Sequence, residues 1–567
     1  MTWTQNYDPF GNWPVSTLVA ALPVLVLLGL LASGKVGAWQ AALCGLITAV
    51  GAAVFAFGMP LSLAAAAAGQ GVVFAAFRIV WLIVAAVFLY DIAVATGQFD
   101  VMKASIARLS GDRRIQAVLI AFSFGAFIEG AAGFGAPVAI SAAFLYGLGF
   151  KPFQAALLCL IANTAPVAWG AIGTPIRTLA AVTSLDVEAI SATSGRILPL
   201  MSLILPFWIV RVMTSWRETF AVWPALLVVG GSFAGAQFVW SNFVGFELVD
   251  IISSVTSLAA GVILLRFWRP RNEWRFPHDD GTVIENHDGL TSRKVARAWM
   301  PFALLTVMVL IWGVPAVKRA FDAKTVADLP ILGPTPVQVS WKWEIPGLHE
   351  RIFKGEALTG HRTLDPADAE KAVADLVPIS STGTAVFIAA ILGGLFLGVR
   401  PGRLLVMLGR TTLRLAPAIA AIVSMLALGF VTKSSGMDVV LGLAFTRTGA
   451  TWYPLFGTLL GWLGVALTGS DTSSNVLFGN LQRITAEKLG LNPILMASAN
   501  TTGGVMGKMI DAQSIVVAAA ATGEHGQEGK LLRAVIWHSV ALALLVGGIV
   551  WVHAHLLPGM VAKVGGS

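Results

Sequence analysis

The chain has 567 residues, 56% of them hydrophobic and 12% charged, with a mean hydropathy of +0.78. That balance excludes an ordinary soluble domain, which carries about twice that share of charge. The net charge of +8 does not point to nucleic acid, because Lys and Arg gather in short breaks between apolar runs and form no aromatic-interleaved basic face.

A hydrocarbon core of about 30 Å needs about 20 apolar residues per helical crossing. Runs of that kind fall at 15–32, 36–57, 79–96, 113–128, 153–171, 197–214, 220–240, 246–266, 298–315, 381–399, 414–431, 451–468, 493–510 and 531–556. The chain therefore reads as an all-α polytopic membrane protein with roughly 12–14 transmembrane helices. Met1–Pro14 has no Lys or Arg, so the positive start of a secretory signal is missing and the first helix is expected to stay. Cys44 and Cys159 lie inside apolar runs without a CxxC pattern and read as packing residues. The loops 97–114, 266–297 and 400–414 are rich in Lys and Arg, which places them inside and the amino terminus outside. Counting crossings puts 316–380 outside as an extramembrane loop.

Sliding the chain along itself by about 338 residues reveals a repeat. Thr96-Gly97-Gln98-Phe99-Asp100-Val101 answers Ser435-Gly436-Met437-Asp438-Val439, and Ile128-Glu129-Gly130 answers Leu467-Thr468-Gly469. Leu148-Gly149-Phe150-Lys151-Pro152 answers Leu489-Gly490-Leu491-Asn492-Pro493, and Ala162-Asn163-Thr164 answers Ala499-Asn500-Thr501. Helix 79–96 runs into a basic loop, whereas its counterpart 414–431 leaves one, so the two halves are expected to be inverted. The reading divides the chain into two N-terminal helices (1–60), a first repeat (61–185), connecting helices (186–315), the loop 316–380, a second repeat (381–522) and a last helix (523–567). Inverted repeats with broken helices are the signature of secondary transporters.

Each half interrupts an apolar run with small and polar residues. In the first these are Glu129-Gly-Ala-Ala-Gly-Phe-Gly-Ala-Pro137 and Asn163-Thr-Ala-Pro-Val-Ala-Trp-Gly-Ala-Ile-Gly-Thr-Pro175. In the second they are Thr468-Gly-Ser-Asp-Thr-Ser-Ser-Asn475 and Asn500-Thr-Thr-Gly-Gly-Val-Met-Gly507. Freed backbone groups cost several kcal/mol each in lipid, so such breaks survive only in protein or facing water. Re-entrant hairpins near 129–149 and 468–490, with breaks near 163–175 and 500–507, meet that condition. A half-helix starting at a break offers N–H groups and a positive dipole end to an anion, for which a carboxylate is suited. The substrate contacts expected are Gly130, Ala131, Gly133, Gly135, Asn163, Thr164, Ser473, Asn475, Asn500, Thr501, Thr502 and Lys508. The competing explanation is helix packing, in which small residues let helices approach.

Ionisable residues at membrane depth are costly and are functional candidates by default. Glu129 stands between an apolar helix and a Gly-rich break, where desolvation penalises the carboxylate and suits it to bind and release a proton; the alternative is a carboxylate held by backbone N–H groups. Asp471 is a second proton site or a helix cap. Lys508 could pair with Glu129, Asp471 or the substrate carboxylate, or snorkel from a helix end. Arg177, Asp91 and His538 are weaker candidates, as anion guide, lone acid and proton relay. No HExxH, GxSxG or His/Cys cluster is present, so neither an enzyme nor a cofactor or metal is expected.

The wording of these breaks resembles the lactate permease family of bacterial L-lactate and glycolate permeases. The resemblance runs from Gln5-Asn-Tyr-Asp-Pro9 through Glu129-Gly-Ala-Ala-Gly-Phe-Gly-Ala-Pro-Val-Ala139, Asn163-Thr-Ala-Pro-Val167 and Gly469-Ser-Asp-Thr-Ser-Ser-Asn475 to Asn500-Thr-Thr-Gly-Gly504. Asp511–Ser514, Arg177 and Asp91 depart from the family's pattern. The resemblance implies proton-coupled uptake of lactate, with glycolate accepted, across the bacterial inner membrane. The partners expected are a small 2-hydroxy monocarboxylate, a proton and the lipid bilayer, in a monomer or a homodimer. A sodium-coupled carboxylate carrier and an anion channel remain as alternatives.

Overall fold

A computed structural model describes residues 2–33, 36–131, 133, 136–276, 291–313, 317, 340–356, 365–524 and 527–562. Gly135 lies outside the described residues. The protein is an all-α polytopic membrane protein: among the described residues, 12 helices are long and apolar enough to cross a membrane, or 13 if one bent pair counts as a single span. The chain divides into two compact units.

One unit comprises Met1–Leu89, Leu304–Gly449 and Asn480–Leu489. Its axis is the 35-residue helix Pro401–Ser435, which packs against Ala38–Gly51 and Leu61–Phe74. The contact depends on small residues: a Cβ on Gly71 would stand 2.6 Å from the Ala427 Cα, so only glycine permits the approach. Trp341–Glu344 pairs antiparallel with Val373–Leu376, and Trp3–Thr4 pairs parallel with Ile352–Phe353. The amino-terminal Gln5-Asn-Tyr motif ties this layer of short strands to the long helix. Gln5 Nε2 donates to the carbonyls of Lys433 (3.2 Å) and Ser434 (3.0 Å), while the Tyr7 hydroxyl donates to Gln5 Oε1 (2.7 Å).

The other unit comprises Tyr90–Ala303, Ala450–Gly479 and Gly490–Ser567. Val187–Met213 packs on Trp223–Phe243, which packs on Val249–Phe267. Pro493–Gly507 lies between Val187–Met213 and Glu528–His555, and Ala512–Thr522 covers Ala136–Gly147 and Pro152–Ala162.

Several expected boundaries change. The run expected at 79–96 belongs to a span starting at Leu61, because the Ala-rich stretch before it is also helical. The helix expected from residue 197 starts at Val187, capped by Asp186, whose side chain accepts from Ala189 N at 2.7 Å; its polar first turns are buried in protein rather than ending the span. The segment 381–399 yields only the 15-residue helix Thr382–Phe396. The run 153–171 is two helices, Pro152–Ala162 and one within Val167–Thr183, bent by 66°. The largest correction concerns 500–507, expected to be a break: Pro493–Gly507 is an unbroken helix, and the interruption falls at Lys508–Asp511. The glycines there serve close packing. A Cβ on Gly503 would meet the Thr458 carbonyl, and one on Gly507 the Trp462 carbonyl.

At two of the paired positions expected from sequence, both glycines have a positive φ. Gly97 and Gly436 have φ of 71° and 80°, and Gly149 and Gly490 have φ of 95° and 69°, the left-handed region that favours glycine.

Candidate functional site

The second unit holds a small cavity of about 70 Å³ lined by Glu129, Gly133, Val167, Gly170, Ala171, Thr174, Pro175, Gly469, Ser470, Asp471, Thr472 and Lys508. The breaks carrying Glu129, Ala171 and Gly469 contribute to it, and so does Lys508 at the start of the break after Pro493–Gly507.

The second-half hairpin turns at Gly469, where φ is 72°. Helix Gly449–Thr468 ends there and Asp471–Leu489 begins, with Ser470 accepting from Ser473 N at 3.3 Å as a cap does. The Asp471 carboxylate is held from two helices: the Thr501 hydroxyl of helix Pro493–Gly507 donates to its Oδ2, and Asn475 Nδ2, one turn along its own helix, reaches the same oxygen at 3.4 Å. Asn475 also reaches the Pro175 carbonyl (3.3 Å) and accepts from Asn500 Nδ2 (2.9 Å). This amide chain ties the first-half break to the second-half hairpin. Lys508 donates to the Gly469 carbonyl at 2.6 Å and pairs with Asp511 at 3.3 Å, while Asp511 caps helix Ala512–Thr522 by accepting from Ser514 N at 2.7 Å. The ammonium is thus fixed at the hairpin tip and does not snorkel.

In the first half, helix Gly125–Ala131 carries Glu129 to the cavity. The opposite wall is the break after Pro152–Ala162, where Ala171, Ile172 and Gly173 have φ of 44°, 57° and 72° in succession. A left-handed Ile is a costly conformation that only firm surroundings maintain. Gly170 lies so close to Glu129 that a Cβ there would stand 2.6 Å from Oε1. Glu129 is 5% exposed, yet its Oε2 has no hydrogen-bond partner among the described residues, and neither amide atom of Asn163 has one. Unpartnered buried polar atoms at a cavity are groups awaiting a ligand or water.

The residues expected from sequence therefore divide. Glu129, Gly133, Asp471 and Lys508 line the cavity, and Asn163 lies beside Glu129. Asn475, Asn500 and Thr501 stand behind Asp471 as its support. Ser473 is buried in the first turn of its helix, and Ala131 is buried at the end of the Glu129 helix. Thr164 spends its hydroxyl on the Ile161 carbonyl at 2.9 Å, whereas the buried Thr502 hydroxyl has no partner among the described residues. Gly130 packs on Asp250. Arg177 pairs with Glu247 at 3.2 Å and covers the Phe246 ring, away from the cavity lining. His538 accepts from Trp208 Nε1 at 3.2 Å, a packing contact.

Compared with known proteins, residues 16–557 match the family model described as L-lactate permease. The chain belongs to the L-lactate permease family. It is 43% identical to the glycolate permease of Escherichia coli strain K12 over 99% of this chain and 100% of that one. The L-lactate permease of Bacillus subtilis strain 168 is 41% identical over 99% of this chain and 100% of that one, and the L-lactate permease of Escherichia coli strain K12 is 42% identical over 99% of each.

In this member of the family, two further buried acids lie against residues of the site: Asp511, noted from sequence only as a departure from the family's pattern, and Asp250, which the sequence analysis does not single out. Asp511 is fully buried beside Lys508, and Asp250, 1% exposed, opens helix Val249–Phe267 against Gly130. The signal for Asp250 was available, since an acid inside the run 246–266 meets the rule already applied to Glu129.

Proposed function

We propose that this protein is a secondary active transporter that carries L-lactate, and also D-lactate and glycolate, into the cell together with a proton, across the bacterial inner membrane. The observation that supports this most strongly is the meeting of all four interruptions around one cavity bearing Glu129, Asp471 and Lys508. The relatives named as lactate and glycolate permeases supply the substrate class.

The substrate carboxylate lies against Lys508 and the helix starts at Asp471 and Thr174, where positive dipole ends favour an anion. Asn163 is placed to bond the 2-hydroxyl. The small volume suits a two- or three-carbon acid. Glu129 takes the proton, which removes the cost of a buried charge and lets the loaded carrier change its facing, so that anion and proton move together. Two inverted halves exchanging conformations would alternate access to the site.

Uptake of labelled L-lactate into proteoliposomes tests this. Glu129→Gln is expected to lose proton-driven accumulation while retaining exchange of substrate across preloaded vesicles; undiminished accumulation removes Glu129 from the mechanism. The Asp471 oxygens beside Thr501 and Asn475 support a second reading, in which sodium is the coupling ion. Replacing sodium by choline separates the two, and saturable counterflow separates a carrier from an anion channel.

A further inference from the structure

Charge counting around the cavity exposes a surplus. Glu129, Asp250, Asp471 and Asp511 are all buried, and the cavity's cation is Lys508. Lys508 pairs with Asp511 at 3.3 Å, and Asp471 is held by Thr501 and Asn475. Glu129 and Asp250 make no ion pair among the described residues, and three of their four carboxyl oxygens, Glu129 Oε2 and both of Asp250, have no hydrogen-bond partner there.

The two acids are neighbours. Gly130, adjacent to Glu129 in the chain, packs on Asp250 so tightly that a Cβ on it would stand 2.7 Å from the Asp250 Cβ, and the Glu129 charge acts on the Asp250 carboxyl. Around Asp250, helix Trp223–Phe243 and the turn Val118–Phe124 bring no titratable side chain. Gly125–Ala131 brings Glu129, and Gly170–Thr183 brings Arg177, which is engaged by Glu247 from the loop before Asp250. Two desolvated acids in this relation cannot both ionise, and they titrate as a unit.

We infer that Glu129 and Asp250 form one proton-sharing carboxyl pair, with Asp250 the second half of the coupling site. The inference rests on the reading of Glu129 as the proton-coupling group. The pair holds one proton that neutralises one acid at a time, so Asp250 can hold it while Glu129 faces the substrate.

The test measures lactate accumulation and exchange against pH in proteoliposomes for the wild type, Asp250→Asn and Glu129→Gln, with monodispersity recorded for each. Removing one like charge lets the remaining acid release its proton more readily. Asp250→Asn is therefore expected to keep exchange and to move the alkaline limb of accumulation to lower pH by about one unit, with Asp250→Glu restoring it. A rate lowered equally at every pH, with the limb unmoved, makes Asp250 structural and overturns the pair while the Glu129 reading stands. Accumulation that survives Glu129→Gln instead overturns the Glu129 reading and the pair with it. If Asp250→Asn does not fold, infrared spectra of the wild type in lipid decide: the pair requires a protonated-carboxyl band at neutral pH that changes in Glu129→Gln, and its absence overturns the pair.

Discussion

The two hairpin tips place an acid at the same cavity but treat it differently. At the second tip, Asp471 Oδ2 is gripped by Thr501 and Asn475, and Asn475 is itself held by Asn500. At the first tip, Glu129 has an oxygen without a partner and faces a backbone bent through three left-handed residues. Both acids are buried, and each leaves one oxygen without a partner among the described residues, Glu129 Oε2 and Asp471 Oδ1; what separates them is that the other oxygen of Asp471 is held twice. A bonded carboxylate resists change because losing a charged hydrogen bond costs about 1.5–3 kcal/mol, whereas an unsatisfied one is free to exchange a proton or accept a ligand. The second tip reads as scaffold and the first as the moving part.

Replacing each acid by its amide should break this comparison most sharply. Glu129→Gln is expected to lower proton-driven accumulation by roughly a hundredfold or more while exchange continues, the pattern of a coupling group rather than a binding group. Asp471→Asn keeps an oxygen able to accept from Thr501 but loses the charge. It is expected to retain accumulation, to slow uptake severalfold, and to lower stability by about 1–3 kcal/mol in thermal unfolding. Should Asp471→Asn abolish accumulation and spare exchange, the roles of the two tips are reversed.

The glycines that face the two acids sharpen the contrast. Gly504 lies against Asp471 Oδ1 and Val465, and Gly170 against Glu129 Oε1. Asp471 is anchored, so Gly504→Ala forces overpacking that costs about 1–3 kcal/mol and should lower the melting temperature with coupling intact. Glu129 has room to give, so Gly170→Ala should leave melting nearly unchanged and raise the KM for lactate severalfold. Equal effects in the two variants would mean that both acids are equally fixed.

Much of this site was legible because breaks and buried charges are anomalies in an apolar chain. Glu129, Gly133, Asp471 and Lys508 stand out that way, and so does the turn at Gly469. What failed had a common cause. The glycines at 503, 504 and 507 were read as a helix break, yet they sit inside an unbroken helix against the carbonyls of Thr458 and Trp462 and the Asp471 carboxylate. A glycine required for close approach and a glycine that ends a helix are the same letter, and only the neighbour distinguishes them. Asp250 was overlooked because its significance comes from Glu129, far away in the chain, and no spacing rule connects them. The long helix Pro401–Ser435 was shortened in the reading because its first turns carry Arg403 and Arg410, residues taken to mark a loop.

The smallest expected effect concerns two neighbours in the first-half break, both read from sequence as substrate contacts. The Thr164 hydroxyl is already bonded to the Ile161 carbonyl, one turn back, while the adjacent Asn163 amide is unpartnered beside Glu129. A hydroxyl committed to its own helix has little to offer a ligand, and exchanging it for a methyl forfeits one local bond worth about 1 kcal/mol. Thr164→Val should therefore leave the KM for lactate and for glycolate within about twofold of the wild type, as that arithmetic allows when the lost bond is not a substrate contact. Asn163→Ala, which removes the buried amide beside Glu129, should raise both KM values by roughly tenfold, the loss of one hydrogen bond to a charged or hydroxylated ligand. If Thr164→Val proves the more damaging of the two, the break must rearrange on binding, and the bond to Ile161 belongs to the empty carrier alone.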